Sequence, residues 1–275
     1  MNEKIGTDTP DDDDEVEASR APLMDHLNEL RTRLIRLVIV LAIGFVVCFI
    51  FAEPIYNFLL VPFEDAAARV REGDLGLRLI FTAPLEFFFV KVKLAFFGAL
   101  ILAFPWFAYE VYAFVAPGLY RNERGAFAPF LLGAPALFVA GMSFVYYFVL
   151  PFVMRFALSQ EQMGTGGGPS IELLTRVSDY LNLVTTLILA FGLSFQLPIL
   201  LMLLGGAGIV NSKQLVNFWK FALVGIFAFA AFVTPPDPIS QLILGSVLMG
   251  LYGLSIIGVK LVEKRGEKVA AESES

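Results

Sequence analysis

Residues 34–52 read LIRLVIVLAIGFVVCFIFA, a run in which the one charge, Arg36, stands near the start. A bilayer core about 30 Å thick is crossed by about 20 apolar residues wound as a helix, so this run is long enough to span one. Five further runs share its character: Leu94–Ala116, Ala126–Met154, Leu181–Leu204, Phe221–Val233 and Ile239–Val259. Arg36 lies close enough to the end of its run to snorkel to the headgroups. Phe221–Val233 has 13 residues, about 20 Å of helix, with Trp219 and Lys220 placed to anchor it at the interface. A span this short thins the bilayer locally or recruits partner helices. The expected fold is an all-α membrane protein with six transmembrane helices.

Composition agrees. Of 275 residues 57% are hydrophobic, 14% aromatic and 17% charged, with a mean hydropathy of +0.72. Soluble domains hold about 45–50% apolar and about 25% charged residues, and a soluble fold of this size could not bury 28 Phe. One His and one Cys exclude a Cys/His metal cluster and a CxxC redox pair. Cys48, in mid-span, reads as a small inert hydrophobe. The chain has no GxxxxGK phosphate loop, and its net charge of −6, much of it from Asp8 to Glu17, argues against nucleic acid as a partner. An intramembrane Ser–His protease would need a His within the bilayer, and His26 lies outside every run. Gly192-Leu193-Ser194-Phe195-Gln196 lacks the second Gly of a nucleophile elbow. A coupled carrier would place ionisable groups at mid-span, and the clean runs hold none; no internal repeat suggests an inverted-repeat transporter. Neither an enzymatic centre nor a cofactor is expected.

Six spans put both termini on one side, and Lys/Arg counts choose which. From Arg20 on, the side carrying the termini holds twelve Lys and Arg against seven over the longer segments opposite, so both termini are expected to be cytoplasmic. Residues 1–20 read as an acidic disordered tail, 34–261 as the membrane domain and 262–275 as a cytoplasmic tail. Within 21–33, Leu23, Leu27, Leu30 and Leu34 recur at helical spacing with polar residues between them, the pattern of a short amphipathic helix lying on the membrane surface.

Several polar residues have both a structural and a functional reading. Glu29 can pair with Arg33 one turn on, or hold the guanidinium of a ligand in a fork that Lys cannot reproduce. Glu123, after Asn122, suits a helix start, or is a second carboxylate on the same face as Glu29. Gln196, beside Pro198, can satisfy backbone exposed by the proline, or dock a neighbouring helix. Asp237-Pro238 reads as the cap and first residue of the last span, with Gln241 one turn further on the same face. Glu110, at the aromatic belt, reads as solvated.

Four segments carry a resemblance: His26-Leu27-Asn28-Glu29-Leu30-Arg31-Thr32-Arg33-Leu34, Phe114-Val115-Ala116-Pro117-Gly118-Leu119-Tyr120-Arg121-Asn122-Glu123-Arg124, Phe191-Gly192-Leu193-Ser194-Phe195-Gln196-Leu197-Pro198 and Thr234-Pro235-Pro236-Asp237-Pro238-Ile239-Ser240-Gln241. In order, spacing and side they resemble the TatC family, the multispanning core subunits of the twin-arginine protein translocase, over about residues 22–262. The resemblance implies a proton-motive-force-driven export system of the bacterial cytoplasmic membrane. It would receive the twin-arginine signal peptides of folded cargo at its cytoplasmic face, self-associate, and work with single-span TatA- and TatB-like partners. Glu29 and Glu123 match the signal-binding carboxylates, with Arg31, Phe114 and Arg121 at neighbouring positions. Pro62 matches a sensitive proline of the first outer loop. The short fifth span and the sixth look like the partner-docking edge, with Asp237 and Gln241 at its outer end and Gln196 as a further docking residue. Many members carry Glu where this chain has Gln196, which can accept a hydrogen bond but cannot titrate.

Overall fold

The computed structural model describes residues 12–70, 79–115, 124–161, 173–233 and 238–273, with side chains placed for 28–70, 79–113, 131–161, 173–233 and 238–264. The described chain is helical: α1 Asp12–Ile50, α2 Ala52–Val70, α3 Glu86–Val115, α4 Arg124–Phe144, a π turn Val145–Val149, α5 Leu150–Ser159, α6 Val177–Ser194, α7 Leu197–Gly206, α8 Ser212–Asn217, α9 Trp219–Val233 and α10 Pro238–Ser273. Five spans are long and apolar enough to cross a membrane: 28–50, 86–113, 131–159, 177–206 and 238–264. The shorter α9 makes the sixth, as its run of apolar residues predicts.

Helix boundaries depart from the sequence reading in four places. No break separates the segment 21–33 from the first span, and helix begins at Asp12, inside the expected acidic tail. The break is missing because Arg31 to Arg36 contain neither Gly nor Pro, and Leu and Arg are good helix formers. The last helix likewise runs past 262 to Ser273 through Glu, Lys and Ala. The second span starts at Glu86, eight residues early, so Lys91 and Lys93 lie within a span expected to begin at Leu94. Lys93 donates to the amide oxygen of Asn182 on α6, and Lys91 sits over the Phe87 ring at 5.1 Å.

The fourth difference is α2, a helix inside what reads as a loop. Its buried face, Leu59, Leu60, Pro62, Phe63, Ala66 and Ala67, packs chiefly on α5. Pro62 has no N–H for the carbonyl of Phe58 four residues back. Tyr146, in the π turn, donates its hydroxyl to that carbonyl at 2.8 Å, and its ring stacks on Phe58 at 4.5 Å. Tyr180, at the start of α6, donates to the next carbonyl, Leu59, at 2.6 Å and stacks on Phe63. The π turn that delivers Tyr146 ends against Pro151, which cannot donate to the preceding turn. A parallel bridge between Ile80 and Arg176, with Val177 N–H donating to the Ile80 carbonyl at 3.0 Å, joins the two connecting segments at the same end.

Close helix contact elsewhere rests on glycine. A Cβ on Gly192 of α6 would stand 2.8 Å from the Phe138 ring of α4. α1 packs on α3, and α10 on α7 and α9. Outward, α1 shows Ile35, Val38, Ile39, Ile43 and Val46, the surface of a helix facing lipid. At the N-terminal end, Glu263 of α10 accepts from the N–H and hydroxyl of Ser212 at 2.8 and 2.6 Å, pinning α8.

Candidate functional site

At the N-terminal end of the bundle α1 and α3 meet through one guanidinium. Arg33 of α1 donates Nε and Nη2 to Glu29 Oε1 at 3.2 and 2.5 Å. Its Nη1 donates to the Glu110 carboxylate at 2.9 Å and to the Glu110 carbonyl at 3.4 Å, and Nη2 also donates to the Ala113 carbonyl at 3.2 Å. All five guanidinium donors are thereby used. Arg36 approaches the second Glu110 oxygen at 3.9 Å.

Exposure is graded across this cluster. Glu110 is 2% exposed, Arg33 16% and Glu29 44%. The sequence expectation that Glu110 is solvated is therefore wrong. Burying a lone carboxylate is costly, and a buried one is found paired. Here Arg33 and Arg36, one turn apart on α1, supply the cations. The i,i+4 spacing of Glu29 and Arg33 was legible, whereas Glu110 lies 77 residues from Arg33 and only the packing of α1 on α3 brings them together.

Among the other predicted residues, Arg31 lies two positions from both Glu29 and Arg33, about 200° round the helix. It borders an exposed groove with Leu30, Leu34 and Ile35 and does not join the cluster. Phe114 is in the last turn of α3, next to the Ala113 carbonyl that Arg33 uses. Arg121, Glu123 and Asp237 lie outside the described residues.

The two predicted amides each reach another helix. Gln196 sits at the junction of α6 and α7 and donates to the Ala134 carbonyl of α4 at 2.9 Å. Gln241 of α10 approaches the Phe227 carbonyl of α9 at 3.4 Å. Pro62 is buried in α2, as described above. The tyrosines serving its neighbourhood, Tyr146 and Tyr180, were missed, because nothing local in the sequence marks a hydroxyl that bonds 88 or 121 residues away. Among the described residues no group of His, Cys, Asp and Glu could hold a metal ion.

A larger apolar groove of about 470 Å³ opens between α1, α2, α3 and the π turn, lined in part by Val47, Phe51, Phe58, Gly98 and Tyr147. The fold thus defines a multi-pass helical membrane protein, with a charged cluster at one end of the bundle and apolar grooves facing outward.

Residues 25–246 match the family model for TatC, the Sec-independent protein translocase protein. The chain is 40% identical to the Sec-independent protein translocase protein TatC of Magnetococcus marinus over 254 residues, 92% of this chain and 89% of that one. It is also 40% identical to the TatC of Rickettsia prowazekii over 239 residues, covering 87% and 92%. A crystal structure described as the twin-arginine translocase receptor TatC superposes with a TM-score of 0.73 at 34% identity, over 86% of this chain and 99% of that one. The chain belongs to the TatC family: it is a component of a twin-arginine protein translocase, a transport protein rather than a member of a catalytic enzyme family.

Proposed function

We propose that this chain is the signal-peptide receptor of its translocase, and that Glu29 and Glu123 bind the two arginines of the signal at the cytoplasmic face. The observation that carries the reading is Glu29 itself. It is a carboxylate nearly half exposed, at the end of the bundle, already gripping a guanidinium side-on. A carboxylate that binds one guanidinium in this way is built to bind another, and it discriminates against the point charge of Lys. The related crystal structure is described as a receptor, which points the same way. Both termini are cytoplasmic in this reading, and the membrane is the bacterial inner membrane.

Partner docking belongs to the opposite reach of the molecule. α9 buries Ile226 and Ala230 and turns Phe221, Val224 and Phe232 outward. At 15 residues it is about 22 Å long, shorter than a bilayer core. A single-span TatA- or TatB-like helix laid along α9 would cover that face, with Asp237 and Gln241 at one end and Gln196 as a docking amide on the fourth span. The proton-motive force supplies the energy in this reading.

The test is binding of a twin-arginine signal peptide to the purified protein in nanodiscs, beside its Lys-Lys counterpart. Loss of a hydrogen bond to a charged group is worth about 1.5–3 kcal/mol, so Glu29→Ala and Glu123→Ala should each weaken binding by about one to two decades. Glu53→Ala, at the other end of the bundle, should leave it unchanged. Equal affinity across the three variants would remove the assignment.

A further inference from the structure

The Arg33 guanidinium occupies the very contact that the receptor reading gives to the signal. Resting on that reading, we infer that Arg33 is a resident guanidinium in the Glu29 seat, and that buried Glu110 is the carboxylate that keeps it when the signal's arginine displaces it. The bonding divides accordingly. Two donors, Nε and Nη2, face Glu29. Three N–H bonds run to α3, to the Glu110 carboxylate and to the Glu110 and Ala113 carbonyls. An incoming guanidinium need only replace the Glu29 edge, and Arg33 stays docked through the other three.

Charge permits the exchange. Glu29 and Glu110 offer Arg33 two carboxylates, so an arriving guanidinium can take the contact with Glu29 while Arg33 keeps its contact with Glu110. Arg36, at 3.9 Å from Glu110 and 58% exposed, is largely hydrated and a weak rival. Without the Glu110 carboxylate, a displaced Arg33 would face the incoming arginine with no counter-charge of its own. Glu110 is thus a positioning residue that acts through Arg33. Arg33 is an internal competitor that holds affinity below what Glu29 alone would give, and it returns to the seat as the signal leaves.

The two roles predict opposite signs, which a merely structural network would not give. In nanodiscs, Arg33→Lys keeps a cation for Glu110 but loses the fork on Glu29; it should tighten twin-arginine peptide binding by about three- to tenfold, a shift of half to one decade. Glu110→Gln should weaken binding by a similar factor. The double variant Arg33→Gln/Glu110→Gln removes the competitor together with its buried carboxylate, and should bind more tightly than the unaltered protein. It decides the matter if Arg33→Lys does not fold. If Arg33→Lys and the double variant both bind no better than the unaltered protein, or Glu110→Gln binds better, the exchange is overturned. Glu29→Ala separates the two failures: no effect there removes the receptor reading itself, while a loss there with no gain from Arg33→Lys or the double variant removes the resident arginine alone.

Discussion

Pro62 has no N–H to offer the Phe58 carbonyl, and that single missing donor is answered from another span by the Tyr146 hydroxyl. A part-buried acceptor left without a partner costs at most about 1–3 kcal/mol. Tyr146→Phe, which keeps the ring stacked on Phe58, should therefore lower stability by up to that amount, read as a drop in thermal unfolding temperature in detergent. Adding Pro62→Ala should return part of the loss, because Ala at 62 brings back the N–H that the carbonyl lacks. Identical melting of the single variant and the unaltered protein would show that the hydroxyl bond contributes nothing. The same reasoning covers Glu110: its carboxylate is buried because Arg33 is there, and neither residue's neighbourhood in the chain announces the other.

Helices of this bundle approach one another where side chains are smallest, and the consequence is measurable one element at a time. Gly192 on α6 has the Phe138 ring of α4 where its Cβ would be, whereas Gly225 on α9 has nothing within 4 Å. Gly192→Ala should force a shift costing about 1–3 kcal/mol, while Gly225→Ala should leave the melting temperature unchanged or slightly raised. Equal effects at both positions would mean that α4 and α6 are not packed this closely. The shortness of α9 is a second property of an element. Inserting four Leu would bring it from 15 residues to the length of an ordinary span. In the reading where the thin span serves opening with its partners, transport should fall sharply. Unimpaired export by the lengthened protein would show that local thinning is not needed.

Orientation is a property of the whole molecule, since every span must agree. From Arg20 on, twelve Lys and Arg on one side against seven on the other predict cytoplasmic termini. Asn217, at the end of α8, and Gln160, just past α5, are exposed at opposite ends of the bundle. With Cys48 replaced by Ala, a single Gln160→Cys should react with a membrane-impermeant maleimide in intact cells. Asn217→Cys should react only after the membrane is opened. The reverse pattern would invert the topology and put Glu29 on the wrong side to meet a signal before export.

The sequence alone determined that this chain crosses a membrane six times, which span is short, and that Glu29 and Arg33 share a helix face. Hydrophobic run length and i,i+4 spacing are local quantities, and a bilayer leaves helices as the spanning solution for such runs. It also carries four segments of the TatC family in order, which make that membership legible in the sequence. Tertiary structure decided what local pattern could not. The helix α2 was hidden because its residues form no apolar run of membrane-spanning length, and it is held from outside itself by Tyr146 and Tyr180. The interfacial segment merged with the first span because nothing in Arg31 to Arg36 stops a helix. Glu110 turned from a solvated belt residue into a buried anion because α1 brought Arg33 within 2.9 Å of it. Burial and long-range pairing depend on which helices touch, and the contact of α1 with α3 is made by the folded bundle, not by any window of its sequence.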